Sequence, residues 1–189
     1  MIETITYSTT KEYKLPEGCS HFKVTTFGGS GQNGEGKNGG KGGAGEVKTV
    51  NVFCKEITIQ TRFPKTSEDG KNSFPIVING EELFEGYFGG KGGNDTCCII
   101  MSGADKLTLY SKGGGGGGGS GYALGKEKRV ILGAEGGRVQ NEIHYSATGV
   151  KGGRGQDGDL SAFFNEITKV LVSENQTYYG PAKLEIETL

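Results

Sequence analysis

Proline is scarce in this chain, at 4 of 189 residues, although glycine reaches 37. A collagen-type triple helix is excluded, because it needs an unbroken Gly-X-Y repeat rich in proline. No apolar run approaches the roughly 18 residues of a membrane-spanning helix. The start, Met1-Ile-Glu-Thr-Ile-Thr-Tyr7, lacks the basic and apolar segments of a signal peptide. Excess charge is missing too: 21 Lys and Arg face 22 Asp and Glu, which gives no global electrostatic reason to expect nucleic acid or an anionic membrane as partner. Cys19, Cys54, Cys97 and Cys98 show no framework spacing, and the adjacency of the last two disfavours their pairing, so reduced thiols are expected. The expectation is one domain over 1–189, without membrane insertion, working in the cytoplasm or in a virion.

What is present is glycine with a period of three. The glycines fall at Gly28, Gly31 and Gly34, then at Gly36, Gly39, Gly42 and Gly45. The period returns at Gly86, Gly89 and Gly92, in the run 113–119 with Gly121, at Gly133 and Gly136, and at Gly149, Gly152, Gly155 and Gly158. Three residues per turn is the repeat of the polyproline II helix, which has no internal hydrogen bonds, so a glycine at every third place lines an edge where another backbone can approach. A straight helix from 28 to 45 would extend about 55 Å at roughly 3.1 Å per residue, several times the roughly 16 Å radius of gyration of a compact domain. The tract therefore doubles back, and the phase break beside Asn33-Gly34 marks the turn. With 86–93, 113–121 and 149–158 this predicts about five legs, or six with 133–137, joined by backbone hydrogen bonds. A flexible linker is the competing account, disfavoured by the regular period and by the strand expected at each end of a tract.

The intervening segments alternate with period two and carry β-branched and aromatic residues. They predict strands over 21–27, 47–53, 56–62, 74–78, 97–101, 106–110, 129–132, 142–145 and 182–188. Asn79-Gly80 between Ile76-Val-Ile78 and Glu82-Leu-Phe84 predicts a two-residue hairpin. The fold expected is mainly β, a jelly-roll-like antiparallel sandwich carrying a bundle of polyglycine II helices. At most one short α-helix is expected, where Leu160, Phe163, Phe164, Ile167, Val170 and Leu171 keep helical spacing within 159–172, a segment for which a strand also stays open.

Motif matches fail in context. Gly29-Ser-Gly31-Gln-Asn-Gly34 spells a dinucleotide fingerprint, and 31–38 nearly spells a phosphate loop, but Glu35-Gly-Lys37-Asn-Gly-Gly40 supplies no helix N-terminus for the phosphates. Lys151-Gly-Gly-Arg154-Gly is too short for an RNA-binding arginine–glycine segment. His21 and His144 lie inside predicted strands, Cys19, His21, Cys97 and Cys98 lack zinc-ligand spacing, and Glu81-Glu82 reads as a charged strand edge. No enzyme activity, cofactor or metal is expected.

The order Ile5-Thr-Tyr-Ser-Thr-Thr-Lys-Glu-Tyr-Lys-Leu-Pro-Glu-Gly18, His21-Phe-Lys-Val-Thr-Thr-Phe-Gly-Gly29, Gly42-Gly-Ala-Gly-Glu-Val-Lys-Thr-Val50, Glu56-Ile-Thr-Ile-Gln60, the block 113–121 and the closing Gly180-Pro-Ala-Lys-Leu-Glu-Ile186 resembles the glycine-rich domain of bacteriophage tail-fibre and adhesin proteins. It is also similar to the glycine-rich region of the anaplastic lymphoma kinase and leukocyte tyrosine kinase ectodomains. The resemblance implies a glycine-helix bundle on a β-sandwich that captures a receptor or ligand. The expected function is thus recognition of a protein or glycan receptor by loops of the bundle, with Gln32, Asn33, Lys37, Asn94 and Asp95 as binding candidates at loop tips. The alternative is a structural part of a larger cytosolic or virion assembly, with neighbouring subunits or a homo-oligomer as partners.

Overall fold

The computed structural model describes residues 2–36, 39–72, 76–78, 81–84, 88–119, 122–124, 129–131, 161–163 and 172–189. Their strands are β1 (Ile2–Ile5), β2 (Thr9–Lys14), β3 (Phe22–Phe27), β4 (Gly45–Val52), β5 (Glu56–Arg62), β6 (Ile76–Ile78), β7 (Glu81–Phe84), β8 (Thr96–Ser102), β9 (Asp105–Ser111), β10 (Tyr122–Leu124), β11 (Arg129–Ile131), β12 (Ser161–Phe163), β13 (Val172–Tyr178) and β14 (Lys183–Thr188). One five-stranded sheet runs β1-β14-β3-β4-β13 and the other β12-β9-β8-β5-β2, while β6-β7 and β10-β11 form separate hairpins. Every pairing is antiparallel. The molecule is mainly β, a two-sheet sandwich.

Alternation builds the core. Phe22 and Val24 of β3, Val50 and Val52 of β4, and Leu184 and Ile186 of β14 meet Ile57 and Ile59 of β5, Cys98 and Ile100 of β8, and Leu107 and Leu109 of β9. A fully buried Val, Leu, Ile or Phe side chain contributes about 1.5–3 kcal/mol, so this double row is the main stabilising term of the sandwich. Each inward row then changes character at the same end. Phe22 and Val24 are followed by Thr26, Ile57 and Ile59 by Thr61, Leu107 and Leu109 by Ser111, and Ile100 and Cys98 lead back to Thr96, all of them buried. At that end the glycine segments begin.

Among the described residues five segments extend the sandwich: 28–35 leaves β3, 39–45 enters β4, 68–72 follows β5 after the connection 63–67, 88–94 precedes β8 and 112–119 leaves β9. Their directions are inherited from the strands. Segments 28–35 and 39–45 are antiparallel, with Gly31 N–H donating to Gly43 O at 2.9 Å and Gly34 N–H to Gly40 O at 2.8 Å. Segments 88–94 and 112–119 are antiparallel as well, with Gly93 N–H donating to Gly114 O and Gly90 N–H to Gly117 O, both at 2.8 Å. Between the two sheets, Gly114 N–H donates to Gly29 O and Gly117 N–H to Gln32 O, each at 2.9 Å, and these segments are parallel. Facing sheets stand about 10 Å apart when side chains fill the gap, against about 5 Å between hydrogen-bonded chains. Loss of the side chains lets the two layers close to hydrogen-bonding distance.

The glycines are required for space. A Cβ on Gly28 would lie 2.1 Å from Lys112 O, on Gly31 1.9 Å from Gly115 O, on Gly34 1.9 Å from Gly118 O, on Gly39 2.0 Å from Gly34 O, on Gly42 1.9 Å from Gly31 O and on Gly45 1.7 Å from Gly28 O. Gly36 differs, since its φ of 94° makes the turn between the first two segments. Gly149, Gly152, Gly155 and Gly158 lie outside the described residues, as do the strand expected over 142–145 and the leg over 133–137.

Of the two conformations left open over 159–172, the described residues take the strand: Ser161–Phe163 is β12, paired with β9, and Val172 opens β13. Aromatic residues in a short run satisfy an edge pairing as well as a helix face. Segment 64–72 joins the bundle although the sequence reading assigned it no role there: Gly116 N–H donates to Glu68 O at 3.0 Å, Gly119 N–H to Lys71 O at 2.9 Å, and Gly70 packs on Gly117.

Backbone contact predicts a sharp split between substitutions. Gly31→Ala should cost about 3 kcal/mol through overpacking, which lowers the melting temperature by about 6–12 °C in a domain of this size. Gly103 has φ +61° with no atom within 4 Å of a built Cβ, so Gly103→Ala should cost only about 1 kcal/mol of backbone strain. Thermal melts of the two variants check this, and equal losses would refute the packing account.

Candidate recognition surface on the glycine bundle

Segment 112–119 is the centre of the bundle. Gly113 packs on Gly93 and Gly116 on Gly90, Gly114 packs on Gly43 and Gly117 on Gly40, and the carbonyls of Lys112, Gly115 and Gly118 receive Gly28, Gly31 and Gly34. All three edges of this segment are therefore covered, and residues 113–119 are buried throughout. An unbroken run of glycine is the consequence. The outer segments touch neighbours on fewer edges, so their glycines are interrupted by exposed Gln32, Asn33, Lys41, Phe88 and Lys91.

A polar layer joins bundle to sandwich. Asp95 is fully buried and accepts from Thr66 Oγ1 at 2.6 Å, from Gly113 N–H at 2.8 Å and from the Tyr110 hydroxyl. Its own N–H donates to Pro64 O at 2.7 Å. Ser67 Oγ donates to Gly93 O at 2.5 Å, Thr96 Oγ1 donates to Phe27 O at 2.6 Å, and Thr26 and Ser111 share a 2.7 Å hydroxyl contact between the sheets. Glu46 Oε2 accepts from Lys112 N–H at 3.3 Å, and its other oxygen lies 3.6 Å from Lys48 Nζ, both side chains being buried. These groups satisfy the backbone where extended strands turn into glycine segments.

The sequence candidates separate accordingly. Gln32 and Asn33 are exposed on 28–35, with Asn33 Oδ1 accepting from Gly42 N–H at 3.0 Å. Lys37 lies outside the described residues. Asn94 is exposed, but it sits at the sandwich end, where its carbonyl accepts from Gly29 N–H at 2.7 Å. Asp95, expected at a loop tip, is a buried anchor instead. An Asn-Asp pair after glycines reads as a turn, and its partners Thr66 and Tyr110 are distant in sequence, so nothing local marks its burial.

Gln32 and Asn94 nevertheless face one groove. A hollow of about 280 Å³ runs along segments 28–35 and 88–94 and is lined by Thr6, Ser30, Gln32, Phe63, Asn94 and Pro181 with neighbouring small residues. Phe63 and Pro181 come from loops that the sequence reading did not select. A second, open hollow of about 500 Å³ lies on the outer face of the first sheet, with Lys23, Thr49, Asn51 and Glu185 on its walls. Among the described residues, no three His, Cys, Asp or Glu side chains converge as a metal site. No helix among them is long and apolar enough to cross a membrane. Comparison with known proteins finds no family model that matches the chain and no matching curated protein.

Burial sets an alkaline limit. Desolvation is the first cause that pushes the Cys98 thiol and the Tyr13 and Tyr110 hydroxyls well above their ordinary values, with Asp95 adding to the rise at Tyr110 and Glu3 at Tyr13. A folded-state pKa raised above the unfolded value gives stability that is complete below the unfolded pKa and lost as pH rises through the folded one. Ordinary values are about 8.5 for Cys and about 10 for Tyr. The melting temperature should therefore hold from pH 7 to 8 and fall progressively above about pH 9. Cys98→Val should delay the onset to about pH 10, as pH-dependent melts would show.

Proposed function

We propose that this protein is a non-enzymatic recognition or attachment module. Its glycine segments, which we read as polyglycine II helices, form a rigid frame that presents exposed side chains to a receptor. One observation carries this reading: inward positions of the segments are glycines with a neighbouring backbone about 2 Å from where a Cβ would stand, while polar and aromatic side chains point outward. A frame held by main-chain contacts leaves the outward residues without a packing role. Their identity can then be set by a partner.

The exposed Phe88 supports the reading. The residue is 61% exposed, although its carbonyl is fixed by Glu35 N–H at 2.8 Å, so an apolar group is displayed from a pinned backbone. The resemblance of the sequence, over most of its length, to the glycine-rich domains of phage tail fibres and adhesins supports the same reading, toward a cell-surface receptor. The alternative is a structural subunit of a larger assembly, in which the same outward residues would meet neighbouring copies.

Fluorescently labelled protein applied to a panel of bacterial and animal cells tests the two readings. Saturable binding to a subset of cells by a monodisperse protein is the expected result. Absence of binding to every cell type, with self-association into a defined oligomer at micromolar concentration, would overturn recognition in favour of assembly.

A further inference from the structure

The groove beside Gln32 and Asn94 has chemistry specific enough to name an occupant. Its lining residues Thr6, Ser30, Gln32, Phe63, Asn94 and Pro181 include no Asp, Glu, Lys, Arg or His, and the remaining positions are Gly29, Gly92, Gly93 and Ala182. An ionic ligand would be desolvated there without a counter-charge, at a substantial cost. The Thr6 hydroxyl and the carboxamides of Gln32 and Asn94 each carry both a donor and an acceptor, and the Ser30 hydroxyl, which donates to Gly180 O at 3.4 Å and accepts from Gly180 N–H, keeps acceptor capacity. Such groups suit a ligand whose own hydroxyls do both.

The apolar part is aromatic. Phe63 lines the groove, with Pro181 and Ala182 beside it. An aromatic ring gives contact area at little entropic cost and packs on the C–H face of a polyhydroxylated ring.

The polar groups are held in place. Gln32 N–H donates to Lys91 O at 2.7 Å, and Gln32 O accepts from Gly117 N–H at 2.9 Å. Ser30 N–H donates to Gly180 O at 2.8 Å, while Gly180 N–H donates to Ser30 Oγ at 3.0 Å. Asn94 donates a longer bond of 3.4 Å to Phe63 O, and among the described residues the Gln32 carboxamide has no hydrogen-bond partner. Fixed backbones reduce the entropy lost on binding. A peptide adding as an extra strand finds little purchase here, because Gly29 N–H donates to Asn94 O, Gly29 O accepts from Gly114 N–H and Gly93 N–H donates to Gly114 O.

We propose that this flank groove, at the sandwich end of the bundle, binds a short neutral segment of a carbohydrate, with Gln32, Asn94 and Ser30 hydrogen-bonding its hydroxyls and Phe63 covering a C–H face. The proposal rests on the recognition reading and adds the ligand class and the place. Its hollow of about 280 Å³ is near the lower end of small-ligand sites, which run from about 300 Å³, and so takes a short segment of a longer glycan.

The test pairs the full chain with the double variant Gln32→Ala/Asn94→Ala, both applied to a printed array of neutral and anionic glycans and to an array of peptides. Neutral glycans should bind the wild type, and the double variant should bind them at least tenfold more weakly while keeping its melting temperature and its glycine-amide NMR spectrum. Wild-type amide shifts on adding a bound glycan should centre on Gly29, Gln32, Gly93 and Asn94. A preference for anionic glycans, binding of peptides alone, neutral binding unchanged in the variant, or no glycan binding would each overturn the groove assignment. Cell binding by wild type and variant separates the levels: equal binding by both sinks the groove and leaves recognition standing, whereas binding by neither sinks the recognition reading itself.

Discussion

The hydrogen bond between neighbouring glycine backbones, made at a separation that no Cβ permits, is the constraint on which the rest of the structure depends. Each such bond contributes a net of about 0.5–1.5 kcal/mol, while ordering a residue costs about 1–2 kcal/mol. Glycine, which loses the most freedom, stands at the costly end of that range. An isolated pair of segments could not offset this cost, but the central run 112–119 draws bonds from four neighbours and is continuous with β9. The strands fix one end of every segment in position and direction. Order in the bundle is thus a consequence of the sandwich.

The sandwich in turn is shaped by the bundle. Two sheets separated by Phe22, Ile59 and Leu107 must converge to backbone contact within a few residues, and the inward rows shrink from these side chains to Thr26, Thr61 and Ser111 as they approach the joint. Small hydroxyl residues fit the narrowing gap and bond across it. Asp95 fits the same logic: its side-chain oxygens accept from one amide and two hydroxyls, so a buried polar group is satisfied within the joint.

Much of this was legible in the sequence, for a physical reason. The glycine period reports which edges of a segment meet another backbone, so period three at 28–34 and 39–45 and the uninterrupted run 113–119 distinguish peripheral from central positions. Strands β3, β5, β8, β9 and β14 were legible to within a residue or two through alternation. Strands β1 and β2 were not, because Ile2–Ile5 and Thr9–Lys14 lie at sheet edges where Glu3, Lys11, Glu12 and Lys14 meet solvent and blur the period. Segment 68–72 carries Gly70 alone and so shows no period. Its bonds run through Glu68 and Lys71 carbonyls, which every residue type possesses.

The candidate groove was the least legible part, since its walls come from five separate stretches of chain, around Thr6, Ser30, Phe63, Asn94 and Pro181. No spacing in the sequence relates them. What relates them is the bundle: antiparallel contact of 28–35 with 88–94 places Gln32 opposite Lys91 and Gly29 opposite Asn94, and the sheet pairing of Ile5 with Leu184 carries Thr6 beside the 180–182 loop. The surface is therefore assembled by main-chain contacts in which its own side chains take almost no part. A substitution at Gln32 or Asn94 alters the groove and leaves the frame intact, whereas one at Gly29 or Gly93 meets backbone within 3 Å and disturbs both. This separation of frame from surface allows recognition chemistry to change while the fold stays the same.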